Sequence, residues 1–184
     1  MELLDRAVQA LKSGAEPELE RSIRVGPEIE LRLPALLPEH YVADVHLRLT
    51  LYKRISSAPD NEALEDLQAE MIDRFGPLPE AARNLYRIAV LKLRARALGI
   101  AKIDAGVQGG YVLFNEGSSV EPQTVIRLVQ SQPKVYRLDG PLKLRFTWRV
   151  ENDAERLRRT AELIVVLSGS APAEVRATNR SASR

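Results

Sequence analysis

The sequence predicts an α+β fold: a helical half, followed by a small, mainly antiparallel sheet packed by helices. Three observations carry that expectation. Between Pro38 and Gly99 apolar residues recur at helical spacing in three runs punctuated by Pro59, Gly76 and Gly99, and three helices in succession need a partner layer. From Ala101 onward the apolar residues fall in short extended runs around turn signals at Val107 to Gly110 and at Asp139, Gly140 and Pro141. No stretch repeats with a period of about 20 to 50 residues, which excludes solenoids and propellers.

Taken in order, Leu3, Leu4, Ala7, Val8 and Leu11 predict an amphipathic helix that stops at Gly14, with AEPELERSIRVGPE as a linker after it. IELRLPALLP alternates Ile29, Leu31 and Leu33 with Glu30 and Arg32, a strand that Pro34 interrupts. Neither element can bury its own apolar stripe, so residues 1–38 are expected to be the trailing edge of a larger module. Residues 39–168 are expected to form a domain, and 169–184 a disordered tail with little to bury.

VADVHLRLTLYKRISSA places Val45, Leu49, Tyr52 and Ile55 on one helical face and ends at Pro59. Asp60 is a good N-cap for a second helix, whose Leu64, Leu67, Met71 and Phe75 form one stripe closed by Gly76 at C′ and Pro77 beyond it. Pro79 opens a third helix, expected to bury Ala82, Leu85, Ile88, Leu91, Ala95 and Leu98 before Gly99. AKIDAG and YVLFNEG read as a hairpin, Pro122 starts a short helix through Val129, and VYRLDGPLKLRFTWR supplies two strands. In the last strand Leu142, Leu144, Phe146 and Trp148 face one way while Lys143, Arg145, Thr147 and Arg149 face the other. Asn152 with Glu155 makes a capping-box-like start for a final helix carrying Leu157, Ala161, Ile164 and Leu167.

Composition narrows the function by exclusion. The 27 basic and 25 acidic residues nearly cancel, which argues against a chain built mainly to neutralise many phosphates. There is no cysteine, hence no disulfide framework or thiolate metal site, and a reducing cytoplasm is expected. No apolar run approaches the roughly 20 residues that span a bilayer. Two histidines, His40 and His46, lie beside a helix start with no GxSxG elbow and no HExxH spacing, and the GxxxxGK[ST] phosphate loop is absent. Gly106, Gly109 and Gly110 bracket a hairpin turn and lack the strand-to-helix setting of a dinucleotide site. On its residues alone the chain is expected to be non-enzymatic.

Charged faces remain. Arg83, Arg87 and Arg94 share one side of the third helix and Lys143, Arg145 and Arg149 the outer face of the last strand; both are readable as weak nucleic-acid contacts or as solvated surface. The second helix is more informative. At about 100° per residue, Glu62, Asp66, Glu70 and Asp73 fall within about 80° of one another, opposite the Leu64, Leu67, Met71 and Phe75 stripe, with Arg74 at the border. Acids in the last turns face the negative end of the helix dipole, and like charges at i, i+4 repel. The ridge is either a solvated acidic face or a docking surface for an arginine-bearing partner.

The runs LPALLPEHYVADVHLRLTLYKRISSA, EMIDRFGPLPEAARNL and YRLDGPLKLRF, in that order, resemble the carboxy-terminal region of bacterial transcription-repair coupling factors, from Met1 to about Leu167. LYKRI followed by IDRFG is the most specific part. The resemblance implies that MELLDRAV follows directly on a double-stranded DNA translocase motor, whose ATP and Mg sites lie outside this chain, so no cofactor is expected here. It also implies a regulatory domain that clamps onto the amino-terminal UvrB-like module of the same protein and masks its UvrA-binding surface, an autoinhibition lifted when the protein engages RNA polymerase and duplex DNA. The matching IDRFG run places that contact on Glu70, Asp73 and Arg74, with Glu62 and Asp66 as an extension of the ridge. An accessory DNA-binding role through Arg83, Arg87, Arg94 and the strand cations Lys143, Arg145 and Arg149 is the alternative, and no membrane partner is expected.

Overall fold

The computed structural model describes residues 26–169. The expected amino-terminal helix and the tail beyond Gly169 lie outside these residues. Within them the chain runs β1 (Glu28–Glu30), α1 (Val45–Ser56), α2 (Asn61–Phe75), α3 (Glu80–Ala97), β2 (Ile100–Gly106), β3 (Gly109–Phe114), α4 (Pro122–Ser131), β4 (Tyr136–Leu138), β5 (Lys143–Phe146) and α5 (Asp153–Leu167). The five strands form one sheet in the order β1-β2-β3-β5-β4, antiparallel except where β1 pairs parallel with β2. This is the α+β class the sequence predicts.

Short-range chemistry sets the element boundaries. Asp44 Oδ1 accepts from the Leu47 amide at 2.7 Å, Asp60 Oδ1 from Ala63 at 2.9 Å and Asn152 Oδ1 from Glu155 at 2.8 Å, each meeting one of the orphan donors at a helix start. Glu155 completes the last cap by accepting from the Glu151 amide, one residue before the position of a standard capping box. Gly76 ends α2 at φ 86°, as its place in the sequence predicts. At the β2–β3 turn Gly109 has φ 124°, and a Cβ there would lie 2.2 Å from the Phe146 carbonyl oxygen, so only glycine lets β5 pass this close.

The core has two parts joined by α3. One lies under the sheet, where Ile29, Leu31, Ile103, Val112, Leu144 and Phe146 meet Leu91 and Ala95 of α3 and Leu163 and Ile164 of α5. The other gathers Leu51 and Ile55 of α1, Leu64, Leu67 and Met71 of α2, and Ala82, Tyr86 and Ala89 of α3. Segment 26–37, grouped by the sequence with an upstream module, supplies Ile29 and Leu31 to the first and Leu37 to the second. Its strand is shorter than the alternation predicts because Arg32 turns to φ 53°. Buried Arg156 of α5 fixes that bend, donating through Nη1 to the carbonyls of Leu31 at 2.6 Å and Arg32 at 3.0 Å.

Two expected faces are corrected. In α1 Ile55 is buried and Tyr52 half-buried as expected, but Val45 and Leu49 are 55% and 39% exposed and Leu51 is buried instead. The rotation of α1 is set by polar ties instead: Tyr52 Oη accepts from the Leu37 amide at 2.7 Å and Arg48 donates to the Val42 carbonyl at 2.7 Å. In α3 Leu85 and Ile88, and Leu98 at its C-cap, are only half-buried, while Asn84, Tyr86 and Ala89 are buried, because α3 packs against α1, α2, α5 and the sheet at once. The last strand's alternation holds, with Leu144, Phe146 and Trp148 buried and Arg145, Thr147 and Arg149 exposed, although the ladder itself ends at Phe146.

Candidate functional site

The ridge expected on α2 is present, and its two ends differ. Leu64, Leu67 and Met71 are buried on the opposite face and Phe75 is half-buried, which turns Glu62, Asp66, Ile72, Asp73 and Arg74 outward. The carboxy-terminal end of α2 is firmly held. Tyr41 Oη lies 2.8 Å from the Gly76 carbonyl and 3.2 Å from that of Met71, so its proton serves the exposed oxygens of the last turn, and its ring meets Phe75 edge-on at 5.8 Å. Burial pushes the Tyr41 phenol up from its ordinary value, which keeps it a donor. Underneath, Tyr86 Oη contacts Met71 Sδ at 3.1 Å.

Glu70 explains itself within the domain. Arg54 of α1 grips it with both guanidinium nitrogens, at 2.9 Å to Oε1 and 2.7 Å to Oε2, and Arg74 adds a contact to Oε1 at 3.2 Å. The Arg54 hydrogen bonds, followed by the charges of Arg54 and Arg74, hold the Glu70 carboxyl at about 2. The unfavourable helix-end position of this acid is therefore compensated by its own chain. Helical spacing could reveal Arg74 as a neighbour but not Arg54, which comes from another helix.

Asp73 has no such compensation. It is exposed and makes no ion pair among the described residues, and the same holds for Glu62 and Asp66. Beside it Ile72 stays 42% exposed, and Arg74 lies over the Phe75 ring at 5.1 Å while remaining about half accessible. The carboxy-terminal end of the ridge thus offers an acid without an ion pair among the described residues, an apolar side chain next to it and a half-accessible cation, all on a fixed helix end. It is chemically suited to a partner carrying an arginine and an apolar side chain close together.

The three arginines of α3 do not form a free patch. Arg83 and Arg87 both bind Glu80, at 2.6 Å and 3.0 Å, and Arg87 also donates to Asn84 Oδ1, so only Arg94 is left without an ion pair among the described residues. The two guanidiniums, Arg83 first, keep the Glu80 carboxyl below the usual carboxylate range. His40 and His46 are exposed, and among the described residues no group of three His, Cys, Asp or Glu could hold a metal ion. No described helix is long and apolar enough to cross a membrane.

A family profile described as the TRCF domain matches residues 31–125, more than half of the 184-residue chain. The chain belongs to the TRCF domain family. The matched part of this TRCF domain contains all of α1, α2 and α3, and with them the whole ridge. The chain is 46% identical over 164 residues to the transcription-repair-coupling factor of Haemophilus influenzae, a match covering 89% of this chain and 14% of that relative. It is 47% identical over 159 residues to the transcription-repair-coupling factor of Escherichia coli, covering 86% and 14%. The TRCF domain described here thus spans a small part of the length of those relatives. Its fold is similar to a crystal structure of the C-terminal domain of a transcription-repair coupling factor, with a TM-score of 0.67 at 21% identity over 78% of this chain and 92% of that one.

Proposed function

We propose that this TRCF domain is the clamping half of an autoinhibitory contact inside a transcription-repair coupling factor. It docks through Asp73, Arg74 and Glu70, with Glu62 and Asp66 as an extension, onto the protein's amino-terminal UvrB-like module and masks the UvrA-binding surface. The observation that carries the reading is the state of Asp73, exposed and without an ion pair among the described residues one turn from a neighbour held by two arginines. In this arrangement Asp73 accepts charge-assisted hydrogen bonds from an arginine of the module and Arg74 pairs with an acid there. Glu70 works through Arg54 and Arg74: it fixes the height and direction of the Arg74 fork and keeps the helix end in register. The resting state must be held by only a few kcal/mol if engagement of RNA polymerase and DNA is to release it.

The test uses the full-length parent protein. Asp73→Arg should increase capture of UvrA without ATP by about tenfold, equivalent to a loss of about 1.4 kcal/mol of clamping, while Arg94→Glu on α3 leaves capture unchanged. Equal UvrA capture by the parent and the Asp73 variant sinks the docking assignment. The α3 part of the accessory DNA-binding reading is weakened by Glu80, which already occupies Arg83 and Arg87.

A further inference from the structure

The outer face of the sheet carries a second charge cluster, unrelated to the ridge on α2. Arg137 of β4 and Arg145 of β5 are register partners and sit side by side on that face, with Lys143 two residues along β5. Like charges directly opposite each other on a ladder are destabilising. One acid serves this group: Asp139 Oδ2 lies 3.0 Å from Arg145 Nε and 3.6 Å from Lys143 Nζ. Arg137 and the nearby Lys134 make no ion pair among the described residues. Elsewhere on the face acids and bases are matched, Asp104 by Arg32 at 2.9 Å and Glu30 by Lys102 at 3.2 Å, so the cationic excess is confined to the β5–β4 edge.

An aromatic ring lies at the same place. Tyr111 of β3 is the register partner of Arg145, half-buried, with Lys143 Nζ 4.6 Å above its ring. Tyr111, Lys134, Arg137, Arg145 and Thr147, together with the ion-paired Arg32 and Asp104, line an open cleft of about 520 Å³, within the size range of small-ligand sites. We propose that this cleft binds single-stranded nucleic acid: Lys134 and Arg137, which have no ion pair among the described residues, take two phosphates, Arg145 exchanges its Asp139 contact for a third, and a base stacks on Tyr111 as Lys143 moves off the ring. Guanidinium forks match phosphate oxygens, and a ring set among cations on an open sheet is the arrangement that receives unstacked bases. A duplex keeps its bases stacked away from such a ring, and an acidic peptide makes no use of it.

The test is fluorescence anisotropy of the 184-residue chain with a short labelled oligothymidylate at low salt. Binding should weaken with salt at a log–log slope of about −2, as expected for three phosphate contacts to a single strand. Arg137→Glu converts the repelling pair into an attracting one, so it should leave the melting temperature equal or higher while reducing affinity at least tenfold. Lys134→Glu, outside the ladder, should weaken binding as well, and Tyr111→Leu should erase the preference for single strand over duplex. No binding by the parent chain, equal binding of a duplex or of an acidic peptide, or an equal loss on Arg94→Glu overturns the proposal. Asp73→Arg leaves the signal unchanged, so this test and the UvrA test fail separately.

Discussion

Replacing Arg156 with methionine should loosen the attachment of β1 to the rest of the domain. The arginine is 5% exposed, and its Nη1 binds two carbonyls more than a hundred residues earlier in the chain. Methionine retains most of the apolar stem and removes a buried charge, which favours the variant. Against it, the Leu31 carbonyl beside a 2%-exposed side chain loses its guanidinium donor, at about 1–3 kcal/mol for an unmet buried group. Arg32, at φ 53°, also loses a bond that holds a left-handed backbone disfavoured by about 1–2 kcal/mol. The arginine is itself imperfectly satisfied, since its buried Nε has no partner among the described residues, and the salt bridge to Asp153 is long at 3.4 Å. The net should therefore be a destabilisation of about 2 kcal/mol, below the roughly 3–5 kcal/mol of breaking a well-made buried ion pair. Urea denaturation reads this directly, and in a domain of this size it appears as a fall of about 4–8 °C in melting temperature. Hydrogen exchange should accelerate first at Ile29 and at its β2 partner Ile103. A variant within about 0.5 kcal/mol of the parent, with β1 protection intact, would refute the assignment of Arg156 as the tie between α5 and β1.

Two further outcomes follow from the helix ends. Because the folded Glu70 carboxyl is depressed to about 2 from an ordinary 4.5, its contribution to stability is complete above about pH 4.5 and disappears as pH falls toward 2. Arg54→Met should remove most of that acid dependence of the melting temperature; superimposable acid profiles for the two proteins would contradict the Arg54–Glu70 grip. Asp60→Ala deletes the acceptor of the Ala63 amide at the start of α2 and should lower stability by about 1 kcal/mol in urea denaturation, with a loss of less than a few tenths arguing that the cap is idle.

Sequence periodicity captured what is local. The Asp60 cap, the Gly76 stop, the Leu64, Leu67 and Met71 stripe and the alternation of the last strand all depend on residues a few positions apart, and all are present. It failed where rotation or register is decided at a distance. The outward turn of Val45 and Leu49 follows from Tyr52 reaching the amide of Leu37, and the compensation of Glu70 from Arg54 on a neighbouring helix. Tyr111 joins the cations of β5 only through the β3–β5 register, which no pattern within either strand discloses. Of the ridge, the outward face was legible and the separation into a satisfied Glu70 and an unsatisfied Asp73 was not.

The long central helix has a mechanical consequence. Ala82, Tyr86 and Ala89 of α3 anchor in the helical cluster while Leu91 and Ala95 anchor under the sheet, along one uninterrupted rod of 18 residues, about 27 Å. With no break in that rod, neither half can melt or swivel alone without stripping part of the other's packing. Whatever displaces the α2 end must carry the β5–β4 edge of the sheet along with it, so any movement of that end would be a journey of the whole body rather than a bend within it.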